Sequence, residues 1–150
     1  MEKYYYGYDE FLGDIKELHR QIADFAPDTL LAIARGGLTM GHLLANAMDT
    51  RRLFALNSIH YEGSRKLDTL EIFNIPDLSD TRKVLILDDI ADSGETLLAV
   101  LDKLQTLYPE VEFRIATLFD KPGSLIRPDY SIKKAPGWID FFWEVDPLGS

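Results

Sequence analysis

Lys83-Val84-Leu85-Ile86-Leu87-Asp88-Asp89-Ile90-Ala91-Asp92-Ser93-Gly94-Glu95-Thr96-Leu97-Leu98 joins an apolar run, two carboxylates, a turn of small polar residues and the opening of a helix. Val84 to Leu87 has the length and branching of a strand buried on both faces, as in a parallel sheet. Asp88 and Asp89 are then expected at its carboxyl end, the edge where open α/β sheets bind ligands. From Ala91 to Thr96, successive backbone N–H groups can turn into one concavity at a helix N-terminus. Such a concavity holds a phosphate, helped by the helix dipole and by the Ser93 and Thr96 hydroxyls. Gly94 permits close approach of the backbone. Carboxylates for hydroxyls or a metal thus lie beside a phosphate cradle, a pairing that suits a phosphorylated sugar. A bare Asp-Asp after a strand serves equally well as a turn and helix cap. The longer pattern carries the reading.

Outward from this stretch, strands and helices alternate. Tyr8 to Phe25 places Phe11, Ile15, Leu18, Ile22 and Phe25 at helical spacing. His19 in that helix reads as a surface residue. Thr29 to Ala34 is a second buried strand, followed by Arg35-Gly36-Gly37 and a helix from Leu38 to Met48. The glycines let the backbone fold tightly and Arg35 adds a fixed charge, although Arg-Gly-Gly alone also suits an ordinary turn. Arg51 to Ile59 reads as a strand. The helix from Glu95 to Tyr108 is stopped by Pro109 and is expected to bury Leu97, Leu98, Leu101, Leu104 and Leu107. Glu112 to Phe119 is a strand ending in Asp120-Lys121-Pro122-Gly123, and Pro128 to Ile132 is extended. The alternation implies an α/β fold with a mostly parallel central sheet flanked by helices. Tyr4, Tyr5, Tyr6 and Tyr8 read as an edge strand or a lid over the core.

The length suits a single domain over 1–150 with a sizeable core. The net charge of −9 argues against nucleic acid as a partner, because phosphate backbones are held by basic surfaces. A local cradle with a cation can still bind polyphosphate. Cysteine is absent, so disulfides and thiolate chemistry are excluded. Met1-Glu2-Lys3-Tyr4-Tyr5-Tyr6 does not read as a signal peptide, no transmembrane segment is expected, and a cytoplasmic location follows as the default.

Val84 to Thr96 resembles the phosphoribosyl diphosphate (PRPP) signature of type I phosphoribosyltransferases: an apolar strand, two acids, two spacers, then Asp-Ser/Thr-Gly-x-Thr. The resemblance implies that fold, with Asp88 and Asp89 on the ribose hydroxyls, Asp89 toward Mg²⁺, and Ala91, Ser93, Gly94 and Thr96 around the 5′-phosphate. Asp92 would be the general base. The family's diphosphate loop is often Ser/Ala-Arg-Gly-Gly, which Arg35 and Gly36 match. In its purine branch a lysine after the next strand reads the 6-oxo group, and Lys121 stands there. A Trp-Ile/Val pair stacks on the base and offers main-chain groups to its edge, and Trp138 and Ile139 match. Together with Phe119-x-Lys121-Pro122 and the Trp143-Glu144 tail, these features are similar to the bacterial xanthine–guanine branch. The matched segments run from about residue 30 to 144, with the base-binding part at about 119–146. Glu95 departs from the small residue usual in the phosphate loop, so its carboxylate must point away.

The polar stretch at about 60–80 would be a flexible hood closing over PRPP, or else a plain exposed hairpin. His60, Tyr61, Arg65 and Lys66 are candidates for the diphosphate. The implied reaction is Mg²⁺-dependent purine salvage, from PRPP and a 6-oxopurine (guanine, xanthine or hypoxanthine) to the nucleotide and diphosphate. The implied assembly is a homo-oligomer, dimer or tetramer. Two alternatives stand beside it. One is a phosphoribosyltransferase for adenine or a pyrimidine. The other is a non-catalytic PRPP- or nucleotide-sensing regulator on the same fold.

Overall fold

The computed structural model describes residues 3–61 and 69–149. In chain order the elements are β1 (Lys3–Tyr6), α1 (Tyr8–Gln21), β2 (Thr29–Ala34), α2 (Leu38–Met48), β3 (Leu53–Tyr61), β4 (Thr69–Phe73), β5 (Lys83–Ala91), α3 (Glu95–Leu107), β6 (Glu112–Asp120), β7 (Tyr130–Lys134) and β8 (Trp138–Phe141). A six-stranded sheet runs β4-β3-β2-β5-β6-β7, and a separate two-stranded sheet pairs β1 with β8. Every pair in the large sheet is parallel except β3–β4, as the alternation of elements predicts.

The central strands show why an apolar run forms here rather than an alternating one. Leu85 and Leu87 of β5 pack with Leu30 of β2 and with α1 and α2 on one face. Val84 and Ile86 pack with Leu31, Ile33 and α3 on the other face. Each successive side chain therefore enters a core, and both faces of the strand exclude water. From β2 the chain leaves through α2 to β3 on one side. From β5 it leaves through α3 to β6 on the other. The gap between β2 and β5 is thus a topological switch point, where the strand ends leave a crevice at their carboxyl edge.

Three details differ from the sequence expectations. Helix α1 stops at Gln21, capped by Ile22, and Phe25 is buried from the turn that follows. Strand β5 continues through the acid pair to Ala91, because Asp88, Ile90 and Ala91 keep pairing with β6. On α3, Leu97, Val100 and Leu104 are buried, while Leu98 and Leu107 are exposed. Leu98 lies a quarter-turn off the buried stripe, and Leu107 overhangs at the last turn. In the proposed hood, β4 pairs with β3 from Asn57↔Phe73 to Tyr61↔Thr69, so its described arms form an antiparallel hairpin. Arg65 and Lys66 lie outside the described residues.

The tyrosine-rich start is an edge strand. Tyr6 is fully buried, and Lys3 to Tyr6 pair with Trp138 to Phe141. His19 is exposed, as read from the sequence. Among the described residues, no helix is long and apolar enough to cross a membrane.

Candidate functional site

The carboxyl ends of β2 and β5 bring the two loops singled out in the sequence into contact. Ala34-Arg35 joins through a cis peptide bond, and Gly37 then caps α2. Gly36 sits directly on the acid pair. A Cβ built at Gly36 would lie 2.8 Å from Asp88 Oδ1 and 2.9 Å from both Asp89 carboxylate oxygens. Any side chain there must displace a carboxylate, so glycine is required by close approach. Gly37 has the same need for another reason: its Cβ would run into the Leu87 carbonyl.

The acids themselves are crowded. Asp89 is buried and Asp88 half-buried, and the Asp89 N–H donates to Asp88 Oδ1 at 2.9 Å. Burial raises the Asp88 carboxyl well above the usual range, and the Asp89 charge raises it further. Burial, followed by the Glu144 charge, pushes Asp89 up to about 6. Two carboxylates held together in a low-dielectric setting repel, and a cation or a set of hydroxyl donors relieves that cost.

A cleft of about 810 Å³ opens over Asp89. It is lined by Arg35, Gly36, Leu38 and Thr39 on one side and by Trp143 to Asp146 on the other. Beside it, a small pocket of about 80 Å³ is lined by Asp88, Ile90, Asp92, Ser93, Gly94, Thr96 and Leu97. This is the phosphate-sized concavity expected at the N-terminus of α3. Gly94 caps that helix with φ of 86°, in the left-handed region that favours glycine. Its Cβ would also meet Ser124 Oγ at 2.5 Å. The Leu125 N–H donates to the Ser93 carbonyl at 2.8 Å, so the segment after β6 buttresses the cradle from outside. Glu95 is exposed, and its N–H donates to Ser93 Oγ at 3.2 Å. The departure from the motif is accommodated by turning that carboxylate to solvent. Ala91 is not part of the lining. It is fully buried, and its carbonyl accepts the Lys121 N–H at 2.9 Å. Its methyl group fills the α3-side core, so its contribution is to hold the loop in place.

A third hollow, of about 160 Å³, joins Asp92 to Lys121, Gly137, Trp138, Ile139, Phe141 and Glu144. Its lining mixes apolar and aromatic side chains with charged ones, the character that a heteroaromatic ring requires. Lys121 Nζ lies 3.1 Å from Asp92 Oδ1, so the proposed base reader and the proposed general base form an ion pair. Behind Lys121, Asp120 is buried and satisfied by Ser131 Oγ at 3.0 Å and Lys134 Nζ at 2.9 Å, which fixes the end of β6. Trp138 is 55% exposed while Ile139 is 6% exposed, so the indole is free to cover a ligand while its neighbour is anchored.

The structure thus brings together Arg35, Gly36, Asp88, Asp89, Asp92, Ser93, Gly94, Thr96, Lys121, Trp138 and Ile139. His60 and Tyr61, at the end of β3, are not part of the lining. Sequence reading left Glu144 without a role, yet it lines both the large cleft and the hollow at Trp138 and acts electrostatically on Asp89. Its signal was the carboxylate that closes the aromatic run Phe141-Phe142-Trp143. Leu38, Thr39 and Trp143 were also unassigned.

Residues 9–149 match the model of the phosphoribosyl transferase domain family. The chain is 28% identical to a xanthine-guanine phosphoribosyltransferase of Ruegeria sp. (strain TM1040), over 95% of this chain and 85% of the relative. Among solved structures it is similar to the Helicobacter pylori xanthine-guanine-hypoxanthine phosphoribosyltransferase, with a TM-score of 0.90 and 39% identity. That match covers 96% of this chain and 95% of the other. A purine phosphoribosyltransferase from Pyrococcus horikoshii Ot3 superposes with a TM-score of 0.86 at 31% identity, covering 100% and 99% of the two chains.

Proposed function

The chain belongs to the phosphoribosyl transferase domain family, and we propose that it salvages purines by Mg²⁺-dependent transfer of 5-phosphoribose from PRPP to a 6-oxopurine. It is a purine phosphoribosyltransferase, and its type I fold is that of the purine enzymes it superposes on. The observation that carries the finer reading is the continuity of three hollows. A phosphate-sized pocket shares Asp92 with the hollow at Lys121 and Trp138, and that hollow shares Glu144 with an acid-floored cleft.

The residues divide the substrates among themselves. Ser93, Gly94 and Thr96 suit the 5′-phosphate, using backbone N–H groups at the start of α3. Asp88 and Asp89 suit the ribose hydroxyls, and their negative field opposes the positive charge that develops on the ring as diphosphate leaves. Arg35 and the Gly36 backbone suit the diphosphate. The donor set fits Mg²⁺, because it is made of oxygen and carries unrelieved negative charge. Among the described residues no group of three or more ligating side chains could hold a metal by itself. Asp89 would therefore contribute alongside substrate oxygens and water. When bound, the ion neutralises diphosphate charge and helps hold the ribose.

At the base end, Lys121 donates to a 6-oxo acceptor and would leave a 6-amino donor unpaired, which selects the oxopurines. Trp138 covers the ring face and Ile139 offers its main chain. A ring nitrogen of the purine attacks C1′, the C1′–O bond to diphosphate breaks, and the nitrogen's proton passes to Asp92. Lys121 beside Asp92 keeps that carboxylate oriented toward the base.

Asp92→Asn tests this reading. With guanine as acceptor, turnover is expected to fall by roughly 10²- to 10⁴-fold while PRPP affinity, measured by calorimetry with Mg²⁺, stays within a few-fold. Unchanged turnover would remove Asp92 as the base. PRPP binding by the wild type without product from any base would favour the regulator.

A further inference from the structure

Strand β8 carries the two residues that face the base, yet it does not belong to the main sheet. Among the described residues it pairs only with β1, in the register Lys3↔Trp138, Tyr4↔Ile139, Tyr5↔Asp140 and Tyr6↔Phe141, and the Phe142 N–H donates to the Tyr6 carbonyl at 3.0 Å. A two-stranded sheet is marginally stable by itself. Something else must fix its register, and register matters here more than usual. Side chains alternate along a strand, so a slip by one residue exchanges the faces. The observed register buries Ile139 and Phe141 and leaves Trp138 outward.

Besides the core packing of Tyr6, β1 is tied to α1 by a polar clasp. Tyr4 and Tyr6 project from the same face of β1, two residues apart. Glu10 and Asp14 project from the same face of α1, one turn apart. These two repeats are nearly equal in length, about 6–7 Å. Tyr4 Oη donates to Glu10 Oε2 at 2.5 Å, and Tyr6 Oη donates to Asp14 Oδ2 at 2.6 Å. Lys133 of β7 bridges the carboxylates, with Nζ 2.5 Å from Glu10 and 3.2 Å from Asp14. The Tyr6 ring, fully buried, meets Phe141 and Trp143 edge-on at 5.9 and 6.0 Å, the latter beside Glu144. A partly buried lysine with two carboxylates is a costly way to gain stability, since apolar packing does so without desolvating charge. It is an effective way to specify one alignment.

We propose that the Tyr4–Glu10–Lys133–Asp14–Tyr6 clasp is a positioning device for the base half of the site, holding β1, and through it β8, in the register that presents Trp138 and Glu144. The role assigned to β8 rests on the functional reading above. The clasp itself rests on geometry alone. None of its residues lines the cleft, the phosphate pocket or the hollow at Trp138.

The test uses Tyr6→Phe, which keeps the ring, and Lys133→Met, which keeps the stem. KM for the purine base is expected to rise about fivefold or more in each, with kcat and KM for PRPP within about twofold, as the loss of one partner to a half-buried carboxylate predicts. Hydrogen exchange of the Ile139 to Phe142 amides is expected to accelerate, while α3 amides stay protected. A lowered melting temperature with unchanged base KM and unchanged β8 exchange would overturn the proposal and leave the clasp merely structural. Equal rises in both KM values would overturn it too. If the wild type forms no nucleotide from any purine, the functional reading fails, and the exchange rates still decide the clasp.

Discussion

The two halves of the site are built differently. The proposed phosphate and ribose half stands on β2, β5 and α3, at the centre of the large sheet, with Leu85 to Leu87 fully buried beneath it. Its acids are crowded, and its glycines are set by backbone and carboxylates less than 3 Å from where a Cβ would stand. The proposed base half stands on the end of β6 and on β8, which belongs to a four-residue parallel pair outside that sheet. Its main aromatic, Trp138, is mostly exposed. Charge development at a sugar carbon demands preorganised groups in a dry, rigid setting. A planar base demands a face and a few edge partners, which a peripheral element can supply and reshape without disturbing the core.

The largest effect should come from the rigid half. Asp89→Asn is expected to lower kcat/KM for PRPP by roughly 10²- to 10³-fold, because it removes charge aimed at the developing cation. Steady-state kinetics with saturating guanine measure this. Next, Gly36→Ala should cost about 100-fold in the same parameter, since its methyl group must push Asp88 or Asp89 aside. It should leave affinity for the purine alone nearly unchanged. Lys121→Ala should do the reverse. The base KM should rise by roughly 10- to 100-fold, the value of one hydrogen bond to a charged donor, with KM for PRPP little altered. If Gly36→Ala and Lys121→Ala gave the same kinetic pattern, the division into halves would fail.

The smallest effect concerns stability. A carboxyl raised to about 6 in the folded chain binds its proton more tightly there than when unfolded. Its ionisation therefore costs folding free energy as pH rises from about 4 through about 6, and the cost is full above that. Asp89→Asn should be more stable than wild type by about 1–3 kcal/mol at pH 8, with the gain shrinking as pH falls through 6. Urea unfolding at a series of pH values would show it. A variant no more stable than wild type at pH 8 would mean that the acid pair is already relieved within the protein.

The same contrast explains what could be read in the sequence. β5, the phosphate loop and the Arg35-Gly36 turn were legible because local sequence dictates them: an apolar run buried on both faces, a left-handed glycine, a helix start. Their meeting at the switch point follows from strand–helix alternation. The base half was legible only by resemblance, because nothing local distinguishes Lys121 from a surface lysine or Trp138 from a core aromatic. Glu144 was missed because its role comes from a distant element, Asp89 on β5. The pairing of β1 with β8 joins opposite ends of the chain, and no local pattern reports a partner so far away. Leu98 and Leu107 show the opposite limit: they fit the helical period but lie at the margin of the surface α3 covers.

The central claim, a phosphoribosyl transfer whose base half selects 6-oxopurines, is tested most directly by offering guanine, xanthine, hypoxanthine, adenine and uracil separately with PRPP and Mg²⁺. Nucleotide and diphosphate would be measured in each case. The account predicts product from one or more of the three 6-oxopurines and none from adenine or uracil. Product from adenine or uracil at a comparable rate would contradict the roles given to Lys121 and Trp138. No product from any base, with PRPP still bound, would contradict the transfer itself.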